Sequence, residues 1–120
     1  MNVDFLELAE KEFNDAIVYY NLQSEGLGFE FAAEAKRTIG RIIQYPNAWT
    51  QLSNRTRRCR TNRFPYGIIY QVRANTLLIV SVMHLHRDPK TWISRLNPSS
   101  RGNTNESLAF ATKSLISYYP

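Results

Sequence analysis

The stretch RFPYGIIYQVRANTLLIVSVMH, residues 63–84, decides the fold. Tyr66 to Arg73 is dense in Ile, Tyr and Val, the residue types that suit a pleated, half-buried surface. Ala74-Asn75 reads as a tight turn, and Thr76 to His84 as the strand that follows it. Leu77, Leu78, Ile79, Val80 and Val82 put apolar side chains on both faces of that second strand. Such a run predicts an interior strand covered from both sides, partly by helices. Pro65 stands at the entry to the first strand, where no ladder donor is lost.

Working towards the N-terminus, Thr56 to Asn62 is a basic, extended stretch. Before it, Leu27, Phe31, Ala35, Ile39, Ile42 and Ile43 recur at helical spacing, as do Ala9, Phe13, Ala16, Ile17 and Tyr20 further upstream. Gly26 and Gly28 punctuate the turn between these helices, and Tyr45-Pro46 stops the second, because proline disfavours helical geometry at the residue before it. Acidic residues crowd the start of the first helix and Lys36, Arg37 and Arg41 the end of the second, each the favourable end of a helix dipole. Val3 and Phe5 alternate with polar neighbours as a short strand. The expected fold is α+β, in the order β-α-α-β-β-β, with an αα-hairpin on one face of a small antiparallel sheet. Towards the C-terminus, residues 87–95 leave the sheet as a turn and short helix. Asn97 to Asn105 reads as a linker, and Leu108, Ala111, Leu115 and Ile116 as a short last helix. The expected organisation is therefore one domain over 1–96 and an extension over 97–120.

Composition narrows the class. An apolar share of 43% in 120 residues supports one packed domain. The single cysteine, Cys59, permits no internal disulfide and no paired-cysteine zinc spacing, which suits a reducing compartment. The N-terminus lacks the pattern of a signal peptide, and no apolar run, Leu77 to Val80 included, is long enough to span a bilayer. A soluble cytoplasmic protein is expected. The net charge of +5 conceals a dipole: residues 1–35 carry eight acids and one base, and residues 36–95 carry twelve bases and one acid. That asymmetry points to a polyanionic or acidic partner, or to neutralisation within the chain. Phosphate-cradling glycine loops, a dinucleotide fingerprint, a nucleophile elbow and a carboxylate pair are all missing from the sequence, so kinase, dehydrogenase and esterase chemistries have no support.

Arg55, Arg57, Arg58, Arg60 and Arg63 place five guanidinium groups in nine residues. On a strand, Arg58 and Arg60 share one face, and Arg57 shares the other with Cys59. Arginine grips phosphate or carboxylate through a bidentate fork. Five exceed what protects an edge strand from aggregation, so the cluster reads as an anion- or partner-binding surface. His84 and His86 face the same way if the strand continues. They suit acid–base work on a phosphodiester, a role beside packing or capping the strand end. Asp88 is the one nearby residue that could add a ligand to them, which leaves a metal pair the lesser reading, and no metal or other cofactor is expected. Trp92, between Arg87 and Arg95, either stacks on a base or pins its turn to the core.

Three runs taken together resemble the ParE/RelE toxin superfamily: Arg63-Phe64-Pro65-Tyr66-Gly67-Ile68-Ile69-Tyr70-Gln71-Val72, Leu78-Ile79-Val80-Ser81-Val82-Met83-His84, and Arg87-Asp88-Pro89-Lys90-Thr91-Trp92-Ile93-Ser94-Arg95. Ala9, Ala16, Tyr19-Tyr20, Gly26-Leu27-Gly28, Tyr45-Pro46 and Trp49 fit the same pattern, over residues 2–96. The ParE-type, plasmid-stabilisation branch is the nearest. The resemblance implies a RelE-like fold and the toxin half of a type II toxin–antitoxin pair, held in a hetero-oligomer by a cognate antitoxin whose C-terminal segment wraps it. ParE-like members poison DNA gyrase, whereas RelE-like members cleave mRNA in the ribosomal A site. The nucleases place a catalytic arginine where this chain has Gly67, and a C-terminal tyrosine where it has Trp92. On that comparison Arg58, Arg60 and Arg87 are left as phosphate-binding candidates and His84 and His86 as acid–base groups. A non-enzymatic, gyrase-directed toxin is the first expectation; a metal-independent endoribonuclease and a non-toxic antitoxin-binding remnant are the alternatives.

Overall fold

In the computed structural model, which describes residues 1–87 and 89–96, the ribbon at residues 66–84 is the centre of the sheet. Strand β4, Tyr66–Arg73, pairs antiparallel with β5, Thr76–His84, within the bounds expected from the sequence. Ala74 turns the chain with φ 53°, in the left-handed region. The register shifts between Ile69 and Tyr70: Ile69 faces Ser81 and Tyr70 faces Ile79, so Val80 is the extra residue of a bulge. Leu77 through Met83 are all buried, as an interior strand requires.

The flanking strands give a sheet of five in the order β1-β5-β4-β3-β2, with β1 at Asn2–Phe5, β2 at Thr50–Gln51 and β3 at Thr56–Arg60. The α+β class and element order are as expected, with two differences. The sheet is mixed rather than antiparallel, because β1 runs parallel to β5, with Val3 opposite Leu77. The two-residue β2 is an added edge strand. Alternating residues show that β1 is a strand but carry no record of which distant strand it joins or in which direction.

Helices α1, Glu7–Gln23, and α2, Leu27–Gln44, form the hairpin. Ala9, Phe13, Ala16 and Ile17 of α1 and Phe31, Ala35, Ile39 and Ile42 of α2 enter the core. Gly26, at φ 82°, reverses the chain. Gly28 lets the helices touch: a Cβ there runs into the Ile17 carbonyl oxygen and stands 2.7 Å from Asn21 Cγ. Its N–H donates to Asn21 Oδ1 at 2.7 Å. At the other end of the hairpin the Tyr45 N–H donates to the Arg41 carbonyl at 3.0 Å, closing α2 before Pro46. An aromatic cluster ties the helices to the β3–β4 loop, with Tyr20 4.8 Å from Phe64 and Phe31 4.9 Å from Tyr66 between ring centroids.

After β5 the chain turns, the Arg87 N–H donating to the His84 carbonyl at 3.0 Å, and enters a 3-10 helix at Pro89–Leu96. Trp92 is buried, so it pins this helix to the core. The expected linker and last helix beyond residue 96 lie outside the described residues. Among the described residues no helix is long and apolar enough to cross a membrane.

Candidate functional site

Strand β3 distributes its side chains by simple alternation. Cys59 is buried, and burial pushes its thiol above the usual cysteine range although the nearby Arg41 opposes this. Arg57 shares that face, and its Nη1 donates to the Trp49 carbonyl at 2.8 Å. Arg58 and Arg60 take the other face. The arginines that look like one cluster in the sequence therefore divide between two clefts.

The first cleft holds about 710 Å³ at the end of β3. Arg41, Trp49, Arg58, Arg60, Arg63 and His86 line it, and among the described residues no Asp or Glu does. Arg41 reaches in from the last turn of α2, its Nη2 donating to the Arg60 carbonyl at 3.0 Å and to Thr38 Oγ1 at 3.1 Å, with its guanidinium 5.9 Å from the Trp49 ring centroid. Arg63 stands over the Phe64 ring at 5.0 Å and pairs with Glu30 at 2.8 Å. Three buried N–H groups of this cleft, Arg41 Nε, Arg58 Nε and Trp49 Nε1, have no hydrogen-bond acceptor among the described residues.

Glu34 positions the loop that carries Arg63. Its Oε2 accepts the N–H groups of Asn62 and, at 2.7 Å, Arg63, while Oε1 pairs with Arg37 at 3.1 Å. Burial by itself raises the carboxyl pKa. The Arg63 and Asn62 backbone donors and the Arg37 guanidinium outweigh it, so the net shift is downward.

The second cleft, of about 640 Å³, gathers Arg55, Arg57, Arg73 and Tyr70. Burial, assisted by Cys59 and opposed by Arg57, pushes the Tyr70 phenol up to about 12. Its hydroxyl donates to the Pro46 carbonyl at 2.6 Å, so Tyr70 is a fixed neutral donor rather than an acid–base group.

The strand does not continue to His86: β5 ends at His84 and His86 lies in the turn. His84 is half-buried edge-on to Tyr66 at 5.3 Å and lines a cleft of about 210 Å³ with Glu12, Tyr19 and Arg87, whereas His86 lines the arginine cleft. The two rings are 5.0 Å apart, and the His86 backbone N–H donates to His84 Nδ1 at 3.1 Å. Among the described residues, no group of three His, Cys, Asp or Glu side chains is placed to hold a metal ion.

Of the remaining candidates, Arg87 is largely exposed, with Nη1 3.7 Å from Glu12 Oε2. Arg95 is committed inside the fold: it pairs with both Glu12 oxygens, at 2.6 and 3.0 Å, and donates to the Val80 carbonyl at 3.0 Å. Trp92, in the core, is not a base-stacking surface. Sequence reasoning missed Arg41 and Trp49 as cleft residues. Their only local signals, a cation near a helix end and an aromatic after Pro46, have ordinary structural explanations.

Gly67 stands opposite Arg60 on β4. A Cβ at that position lies 2.8 Å from Arg58 Cδ, 3.0 Å from Arg58 Cγ and 3.4 Å from Leu85 Cδ2. The stem of Arg58 thus occupies the room that a side chain at position 67 needs.

The family model described as the ParE toxin of the type II toxin–antitoxin system parDE matches residues 3–89. No curated protein matches the sequence. A chain of the chromosomal ParDE TA system from P. aeruginosa has the same fold, with a TM-score of 0.63 at 11% sequence identity, covering 72% of this chain and 97% of that one. With most of its length matched by that family model, from the N-terminal strand to the start of the 3-10 helix, the chain belongs to the ParE toxin family of type II toxin–antitoxin systems.

Proposed function

We propose that the protein inhibits growth in the cytoplasm by acting on DNA gyrase without nuclease chemistry, and that a cognate antitoxin neutralises it. Family membership supports the toxin role. The observation that favours gyrase over mRNA is the packing of Arg58 against Gly67, which occupies the place where the resemblance puts a nuclease arginine. For the antitoxin, the tip of the helix hairpin offers Val18, Tyr19, Leu22 and Phe29, all more than half exposed. One observation favours the endoribonuclease reading, the presence of His86 in the arginine cleft.

Induced expression with and without the neighbouring antitoxin gene, read out by plasmid supercoiling and mRNA cleavage, separates these readings. The expected result is growth arrest with altered supercoiling, intact mRNA, and rescue by the antitoxin. Cleaved mRNA with normal supercoiling assigns the protein to the nucleases, and normal growth makes it an antitoxin-binding remnant.

A further inference from the structure

The arginine cleft has a chemistry that toxin–antitoxin pairing does not by itself call for. Of its four guanidinium groups only Arg63 has a carboxylate partner among the described residues, Glu30. Among the described residues Arg41, Arg58 and Arg60 make no ion pair. Like charges held in one cleft repel, and Arg41 Nε, Arg58 Nε and Trp49 Nε1 are buried donors without acceptors among the described residues. A ligand rich in anionic oxygens relieves that repulsion. Four guanidiniums offer more donors than one carboxylate accepts, but they suit the several oxygens of neighbouring phosphates.

Two further features select among anionic polymers. A peptide strand adds to a sheet through open edge carbonyls, yet β2 already pairs with Arg57 and Arg58, and Arg41 takes the Arg60 carbonyl. Single-stranded nucleic acid is held by aromatic faces on which bases stack. Here Phe64 is buried against Tyr20 and Phe31, the Trp49 ring lies under Arg41, and the His86 ring faces His84 at 5.0 Å. Gripping phosphates without stacking bases is how proteins hold a duplex backbone.

We infer that the cleft formed by Arg41, Arg58, Arg60 and Arg63 is a phosphate-backbone site for duplex DNA. The site binds without cutting and gives the protein a contact to DNA in addition to its protein partners. The inference goes beyond the gyrase reading and rests on it only for the choice of DNA as the probe.

The test is fluorescence anisotropy of the full chain with a short labelled DNA duplex over a range of salt concentrations, in the absence of gyrase. Arg58→Gln with Arg60→Gln is compared with Lys11→Gln plus Lys36→Gln, which removes the same charge from the exposed helix surface. The cleft pair should weaken binding at least about tenfold and flatten the log–log salt slope by about 2, one unit for each phosphate left without its arginine. The helix pair should change affinity less than about threefold. Arg60→Gln alone, at an exposed side chain, should show part of the same loss if the double variant folds poorly. Equal losses in the two pairs overturn the inference, because they mean diffuse attraction to a basic protein. Tighter binding of a single-stranded RNA of equal length, lost in the cleft pair, overturns it in favour of RNA. A glutamate-rich peptide that fills the cleft and is not displaced by duplex overturns it in favour of an acidic protein partner. Because gyrase is absent, duplex binding without any effect on supercoiling keeps the DNA site and removes the gyrase reading, and the converse result does the reverse.

Discussion

Glu34 links the second helix to the loop at the end of β3 with a single carboxylate. It is buried, it accepts two consecutive backbone N–H groups, and its partner Arg37 comes from the next turn of the same helix. Because folding lowers its pKa, the folded chain binds fewer protons than the unfolded chain as this group titrates. The stability it contributes is therefore fully present above the ordinary glutamate value of 4.5 and is lost as the pH falls through the lower folded value. Glu34→Gln should cost about 2–3 kcal/mol at neutral pH, the range for losing hydrogen bonds to a charged acceptor. It should also reduce the acid-side decline in the urea midpoint, measured between neutral and acid pH. Gly67 acts through the space it leaves rather than through a contact of its own, since that space is what lets the Arg58 stem cross β4.

Strand β5 has one edge that β1 covers only in part. The pairing ends at Ile79, and the Leu6 N–H then takes the Ile79 carbonyl at 2.9 Å. Beyond that point α1 and the 3-10 helix finish the edge with side chains. Glu12 accepts the Val82 N–H at 3.1 Å and the Ser81 hydroxyl at 2.9 Å, and Arg95 donates to the carbonyl of the bulged Val80. The Glu12 and Arg95 side chains are only 13% and 12% exposed, so removing Arg95 leaves Glu12 buried with only the exposed Arg87, 3.7 Å away, as a cationic partner, and removing Glu12 leaves Arg95 buried without its carboxylate. Arg95→Ala should lower the unfolding free energy by about 3–5 kcal/mol, measured by urea denaturation. Glu12→Gln with Arg95→Met should recover part of that loss, because neither then carries an uncompensated charge. The bulge at Val80 thus has a structural consequence: it turns a carbonyl out of the ladder and towards Arg95.

Over the whole molecule, the acidic hairpin neutralises part of the basic half and leaves the rest. Glu12 with Arg95, Glu30 with Arg63 and Glu34 with Arg37 are internal pairs, while Arg41, Arg58 and Arg60 keep their charge in one cleft. Sulfate should therefore stabilise the protein more than chloride at equal ionic strength, by about 1 kcal/mol or roughly 4–8 °C in Tm, and the Arg58→Gln with Arg60→Gln variant should lose that excess in scanning calorimetry. The β4–β5 ribbon and the helix hairpin were legible in the sequence because periods of 2 and 3.6, Gly26, Ala74-Asn75 and Pro46 act between chain neighbours. The basic strand was legible for the same reason, and its alternation correctly separated Arg57 from Arg58. Only the tertiary structure decided that β1 lies parallel to β5, that Arg41 joins Arg58 and Arg60, and that Arg95 is spent on Glu12, 83 residues away. Whether a charge faces a partner or a neighbouring element depends on which distant surfaces pack together, and local pattern does not encode that.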